Sequence, residues 1–206
     1  LKYRCWAHVD PDSPTTLAGA GQKGIDWLNQ GYQRATDVPK DQLSRRQQIQ
    51  VAALQQGVPQ IDRPGIESWL DELAYPLTLI DFEAFGPAVP VLMGTSPFEA
   101  IPFQASVHVI ESAGAEPAHR EFLGTDRDEP RPGLAAVLAT RPADGSVMAG
   151  HASYERRILR SLADAFPDVR SELRSLDRRL VDLEKPFSRF HYYHPAQKGS
   201  TSIKAV

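Results

Sequence analysis

Leu77 to Glu83 reads L-T-L-I-D-F-E, an apolar run that ends in two carboxylates separated by Phe82. Side chains alternate faces along a strand, so Asp81 and Glu83 point the same way, roughly 6.5 to 7 Å apart at the backbone. That spacing lets both reach one divalent cation. Hard ions such as magnesium or manganese take oxygen ligands, and pairs of them drive phosphoryl transfer. D-x-E also recurs by chance in a chain with 26 acidic residues, so the pair gains meaning only from what stands near it. The nearest addition is Glu155, in the first turn of a helix predicted over Gly150–Phe166. Tyr154, Ile158, Leu162 and Phe166 form the core stripe of that helix, with Leu159 beside them, and Glu155 borders it. It can aim at the sheet end where Asp81 and Glu83 stand, or simply favour the positive helix N-terminus.

The elements that must position these groups alternate strand and helix, the pattern of a layered α/β fold. Leu77, Leu79 and Ile80 suit a strand buried in a sheet, and carboxylates at its end lie where open sheets place their sites. Ile101–Glu111 puts Phe103, Ala105, Val107 and Val109 on one face, and Gln104, Ser106 and His108 on the other. With a strand at His119–Leu123, the short connections predict a three-stranded antiparallel meander. A helix over Pro132–Thr140 and a short buried strand at Ser146–Ala149 follow. The first 74 residues read differently, as a mostly helical accessory segment without a strand. Helices are expected at Gln22–Gln30, closed by Gly31, and at Asp41–Gln56, closed by Gly57, with Leu43, Ile49, Ala52, Ala53 and Leu54 as a rough stripe. A third, Asp62–Ala74, places Ile66, Trp69, Leu70 and Leu73 on one face.

Composition excludes some classes. At 206 residues and 41% hydrophobic content the chain holds a sizeable core, and its formal charge of −3 gives no global attraction to nucleic acid. Binding of that kind must rest on a local patch. One cysteine, Cys5, rules out an internal disulfide framework, and no apolar stretch has the length of a membrane helix. The expectation is a cytoplasmic protein and, since the chain begins at Leu1 with no leader pattern, a part of something longer. His191 and His194 in H-Y-Y-H-P have a zinc-compatible spacing but no evident further partners.

Five blocks taken together carry a resemblance: D-F-E at Asp81–Glu83, I-P-F-Q-A-S-V-H at Ile101–His108, H-A-S-Y-E at His151–Glu155, V-D-L at Val181–Leu183 and G-S-T-S-I-K-A-V at Gly199–Val206. They resemble the bacterial domain of unknown function numbered 2779. That family in turn resembles the RNase H-like, DnaQ-type (DEDD) exonucleases, in which four acidic residues hold two metals and cut phosphodiester bonds. The resemblance covers Tyr75 to Val206 and implies an RNase H-like mixed sheet flanked by helices over residues 75–206, after the accessory segment of residues 1–74. It implies a magnesium- or manganese-dependent nuclease of 3′–5′ exonuclease type acting on DNA or RNA, in single-stranded form. A non-catalytic module that binds nucleic acid or docks a partner nuclease is the alternative.

Residue by residue, the first exonuclease motif falls on Asp81 and Glu83, and the second on Glu155, where the better-known enzymes carry aspartate. The last acidic motif is expected beyond Val206, so the fourth carboxylate is missing, and Asp182 is kept as an additional candidate. Tyr192 and Tyr193 are candidates for stacking on bases, and Lys198, Lys204, Arg178 and Arg179 for touching phosphates. In longer relatives a RecB- or Cas4-like nuclease region precedes the domain, and R-C-W-A-H at Arg4–His8 matches its remnant. One cysteine cannot hold an iron–sulfur cluster.

Overall fold

Local sequence rules start and stop the first elements. The computed structural model describes residues 9–10, 12–125 and 128–202. Helix α1, Gln22–Asn29, buries Trp27, whose indole N–H donates to Gln42 Oε1 at 2.8 Å. Lys40–Gln42 is a separate 3-10 turn, and helix α2 begins only at Arg45, running to Gln56. The predicted start at Asp41 is therefore corrected. Ser44 and Gln47 form a capping box, the Ser44 N–H donating to Gln47 Oε1 at 2.9 Å and the Gln47 N–H to Ser44 Oγ at 3.4 Å. Gly57 ends the helix with φ 68°, a left-handed conformation that glycine adopts without strain.

Of the expected stripe, Leu43 is buried just before α2 and Ala53 within it, but the rest of the buried face is different. That face carries Gln47, Gln50, Val51 and Ala53. Gln50 accepts from the Ala18 N–H at 2.8 Å and donates to the Thr16 carbonyl at 2.9 Å, while Gln47 donates to the Ala18 carbonyl at 3.0 Å. The two amides thus satisfy a backbone segment that has no strand partner. Strand β1, Gln60–Ile61, corrects the expectation that the first 74 residues hold no strand. Helix α3, Arg63–Leu70, is shorter than predicted, and Trp69 is its buried residue while Leu70 is exposed.

The next elements build a five-stranded sheet. Strands β2 (Leu77–Phe85), β3 (Ile101–Ile110) and β4 (Ala118–Leu123) form the antiparallel meander. Helix α4 (Arg131–Ala139) leads to strand β5 (Ser146–Ala149), which lies parallel to β2 with Leu79 opposite Met148. Helices α5 (Ala152–Ala165) and α6 (Arg170–Arg178) lead to strand β6 (Leu180–Asp182), parallel to β5. The strand order is β4-β3-β2-β5-β6, a mixed sheet flanked by helices. Thr78, Ile80 and Phe82 of β2 face inward, and Ile80 and Phe82 share one core with Ala105, Val107, Leu134, Leu138, Val147, Ile158, Leu159, Leu162, Leu173 and Leu176. Full burial of each large aliphatic side chain contributes about 1.5–3 kcal/mol, so this shared face is what fixes the register of β2.

After Leu183 the chain forms helix α7 (Lys185–Ser188) and strand β7 (Tyr192–Tyr193), which pairs antiparallel with β1. Two compact units result, residues 1–70 with 184–206 and residues 71–183. Residues 184–206, which the sequence reading groups with the domain starting at 75, thus join the first unit through β7. No helix among the described residues is long and apolar enough to cross a membrane.

Gly145 admits β5 into the sheet. Its φ is 73°, and a Cβ there would overlap the Pro76 carbonyl oxygen. Gly145→Ala is expected to destabilise the 71–183 unit by about 3 kcal/mol or more, since both the conformation and the space forbid the methyl. Urea unfolding followed by circular dichroism measures this, and an unchanged midpoint would contradict it.

Candidate functional site

Alternation along β2 puts Asp81 and Glu83 on the face opposite Ile80 and Phe82, and both are exposed. Their cross-strand neighbours on β3 are polar, Ser106 opposite Asp81 and Gln104 opposite Glu83. Immediately after Glu83 the β2–β3 register shifts, and Ala84 faces Pro102. Proline offers no N–H to a ladder, so regular pairing breaks there, one residue beyond the carboxylates.

The third carboxylate arrives by a tight connection. Strand β5 ends at Ala149, one step past Met148, and only Gly150 and His151 precede α5. Glu155 therefore stands in the first turns of the helix, near the strand end. It is 4% exposed, and its Oε2 has no hydrogen-bond partner. Burial pushes its carboxyl above the usual carboxylate range, and the negative charges of Asp81 and Asp182 push the same way. Its own backbone N–H, which acts more strongly than either acid, and the His151 ring pull in the opposite direction without outweighing burial.

Tyr154 reports the same field. Burial raises its phenol, and the charges of Glu83, Glu155 and Asp81 raise it further, against the Arg157 guanidinium that lies 5.3 Å from its ring centre. The charges of Asp81, Glu83 and Glu155 thus act on Tyr154, and those of Asp81 and of Asp182, at the end of β6 opposite Ala149, act on Glu155. An open cavity of 340 Å³ at the start of α5 is lined by His151, Ser153, Tyr154 and Arg157, and His151 Nε2 lies 2.9 Å from Ser153 Oγ. Sequence reasoning did not single out these four as a group, although H-A-S-Y-E already carried three of them.

The chemistry of this donor set is that of a hard cation: carboxylate oxygens, one of them buried and orphaned. Among the described residues, however, no three His, Cys, Asp or Glu side chains converge closely enough to ligate one ion. The fit is therefore in donor type, burial and charge.

The remaining candidates each have surroundings of their own. Tyr193 is corrected as a base-stacking residue: it is fully buried, its ring stacks on Phe190 at 4.8 Å, and its hydroxyl accepts from the Gly199 N–H at 3.0 Å. No ring face is left for a base. Tyr192 is half-buried, edge-on to Phe187 at 5.9 Å, and Lys198 is exposed. Lys204, Cys5 and the R-C-W-A-H block lie outside the described residues. Arg178 is exposed, whereas Arg179 donates to the Pro142 and Gly145 carbonyls at 2.8 and 2.9 Å, which makes it a brace for the turn before β5. His191 Nδ1 meets Asp62 Oδ2 at 2.9 Å and His194 Nδ1 accepts from the Ala196 N–H at 3.0 Å, so each ring has a structural partner in place of a shared ion. His108 stacks on His119 at 4.3 Å.

A family model described as "Domain of unknown function (DUF2779)" matches residues 78–202. No curated protein and no solved structure matches the chain.

The raised Glu155 carboxyl makes stability depend on pH. Above the usual value of 4.5 and up to the raised one, the folded chain holds a proton that the unfolded chain has lost, so stability falls as pH rises through that window. Glu155→Gln is expected to raise the thermal midpoint near pH 7.5 in metal-free buffer, and to leave it almost unchanged near pH 4, by scanning calorimetry. A lower midpoint for the variant at the higher pH would contradict the assignment.

Proposed function

We propose that this chain, which belongs to the DUF2779 family, is a metal-dependent nuclease of RNase H-like fold that hydrolyses phosphodiester bonds in single-stranded DNA or RNA. The observation that carries the reading is the Glu155 carboxylate, buried with an unpaired oxygen under the charges of Asp81 and Asp182. A buried ionised carboxylate without a partner costs several kcal/mol; a proton relieves it below its raised titration range, and a bound cation relieves it above. Asp81, Glu83 and Glu155 would hold magnesium or manganese, with Asp182 adding negative charge beside them. A bound divalent ion supplies an acidified water and charge stabilisation for phosphodiester hydrolysis.

The chain's own residues do the rest. Exposed Asp81 and Glu83 leave one side of the group open to a strand of nucleic acid. Arg157 offers a cation to a phosphate, and the half-buried Tyr154 ring offers a face to a base, in the cavity that these two residues line. Attack from a 3′ end follows from the resemblance to DnaQ-type enzymes, and a RecB- or Cas4-like domain in a longer parent chain follows from the arrangement of longer relatives.

A second reading, a non-catalytic module of the same fold, is favoured by one observation: the described carboxylates do not converge into a three-ligand group. Incubation with 5′-labelled single-stranded DNA and RNA in manganese or magnesium separates the two. The nuclease reading expects stepwise shortening from the 3′ end, lost in a variant carrying Asp81→Ala and Glu83→Ala. Retention of the strand without shortening in either metal would replace it with the binding module.

A further inference from the structure

Helix α5 carries Arg156 directly after Glu155, and the Arg156 guanidinium reaches two elements at once. Its Nη2 donates to the Leu180 carbonyl of β6 at 3.2 Å, and its Nη1 stands 3.3 Å from Asp177 Oδ1 in the last turn of α6, an ion pair without hydrogen-bond alignment. Asp177 is buried, and its second oxygen accepts from Arg160 Nε at 2.8 Å. Arg156 and Arg160 are four residues apart, on one edge of α5. Two arginines from that edge thus close on a single buried carboxylate, which fixes the rotation of the helix about its axis.

Only Arg156 also grips the strand. Leu180 lies two residues before Asp182, and Leu183 N–H continues the β5–β6 pairing by donating to the Ala149 carbonyl at 2.9 Å. The backbone that Arg156 holds is therefore the backbone that sets where Asp182 stands. Guanidinium is planar with five donors in a rigid fork, so it can serve a carboxylate and a carbonyl in one geometry, which a flexible ammonium does less well.

We infer that Arg156 is a positioning residue for the carboxylate site: by tying Asp177 and the Leu180 carbonyl together, it holds the helix turn bearing Glu155 against the strand bearing Asp182. The inference rests on the metal-site reading given above. It makes Arg156 act through Glu155 and Asp182, with no contact of its own to an ion. Direct hydrogen-bond partners of metal ligands typically govern affinity by about 10- to 100-fold, and Arg156, which acts one step further out through the Leu180 backbone and Asp177, falls at the low end of that range.

Manganese titration calorimetry on the whole chain tests it, with thermal midpoints recorded for every variant. Arg156→Ala is expected to weaken manganese binding by about tenfold or more, and Arg156→Lys to recover part of that loss. Arg160→Ala removes the other ion pair to Asp177 but no bond to β6, so it loosens the same helix pair and is expected to leave affinity within about twofold. Wild-type affinity in Arg156→Ala, or an equal loss in Arg160→Ala, would overturn the positioning role while leaving the metal site standing. Absence of manganese binding by the unaltered protein would overturn the metal-site reading, and the inference with it.

Discussion

Burial of the Glu155 carboxylate, with one oxygen unpaired and two other acids acting on it, is the constraint around which the 71–183 unit is organised. Left ionised and alone, such a group disfavours the folded state. The surrounding structure permits it little escape. Two residues separate β5 from α5, Ala152, Ile158, Leu159 and Leu162 anchor the helix in the core, and Arg156 and Arg160 lock its rotation onto Asp177. Structures that hold charge in an unfavourable place without an obvious structural return are commonly those in which the group has a ligand to serve.

The rest of the sheet answers the same demand. β2 must expose Asp81 and Glu83 while burying Ile80 and Phe82, and only a strand with period-two alternation does both. Pairing with β3 on one side and β5 on the other holds that register, and β5 is admitted because Gly145 takes a left-handed turn against Pro76. Arg179 braces that turn from beneath by binding its carbonyls. A residue read from sequence as a phosphate contact is thereby committed to positioning a strand.

Much of this was legible because the signals are local. Alternation in Leu77–Phe85 and Ile101–Ile110, the apolar run Ser146–Ala149 and the stripe of α5 each follow from one face being buried. Asp81, Glu83 and Glu155 were legible for the same reason, since their faces follow from the periods of their elements. What escaped depended on distant partners. β1 is two residues long and exists only because Tyr192 and Tyr193 return to pair with it. Gln47 and Gln50 look like surface until the carbonyls and N–H groups of Thr16 and Ala18 need partners. The start of α2 was available in S-R-R-Q at Ser44–Gln47, a capping box that outweighs the apolar Leu43. Tyr193 looked like a stacking residue because nothing in H-Y-Y-H-P shows which ring turns inward. Asp182 acts on Glu155 by its charge, an influence set up by the parallel pairing of β5 with β6.

Convergence of these carboxylates on one cation is the central claim, and anomalous scattering at the manganese edge from crystals grown in manganese tests it most directly. The account predicts a peak within about 2.1 Å of carboxylate oxygens from both Asp81 and Glu155, the distance hard six-coordinate ions require. A peak at His191 and His194 alone, or none beside Glu155 in fully manganese-saturated crystals, would contradict it.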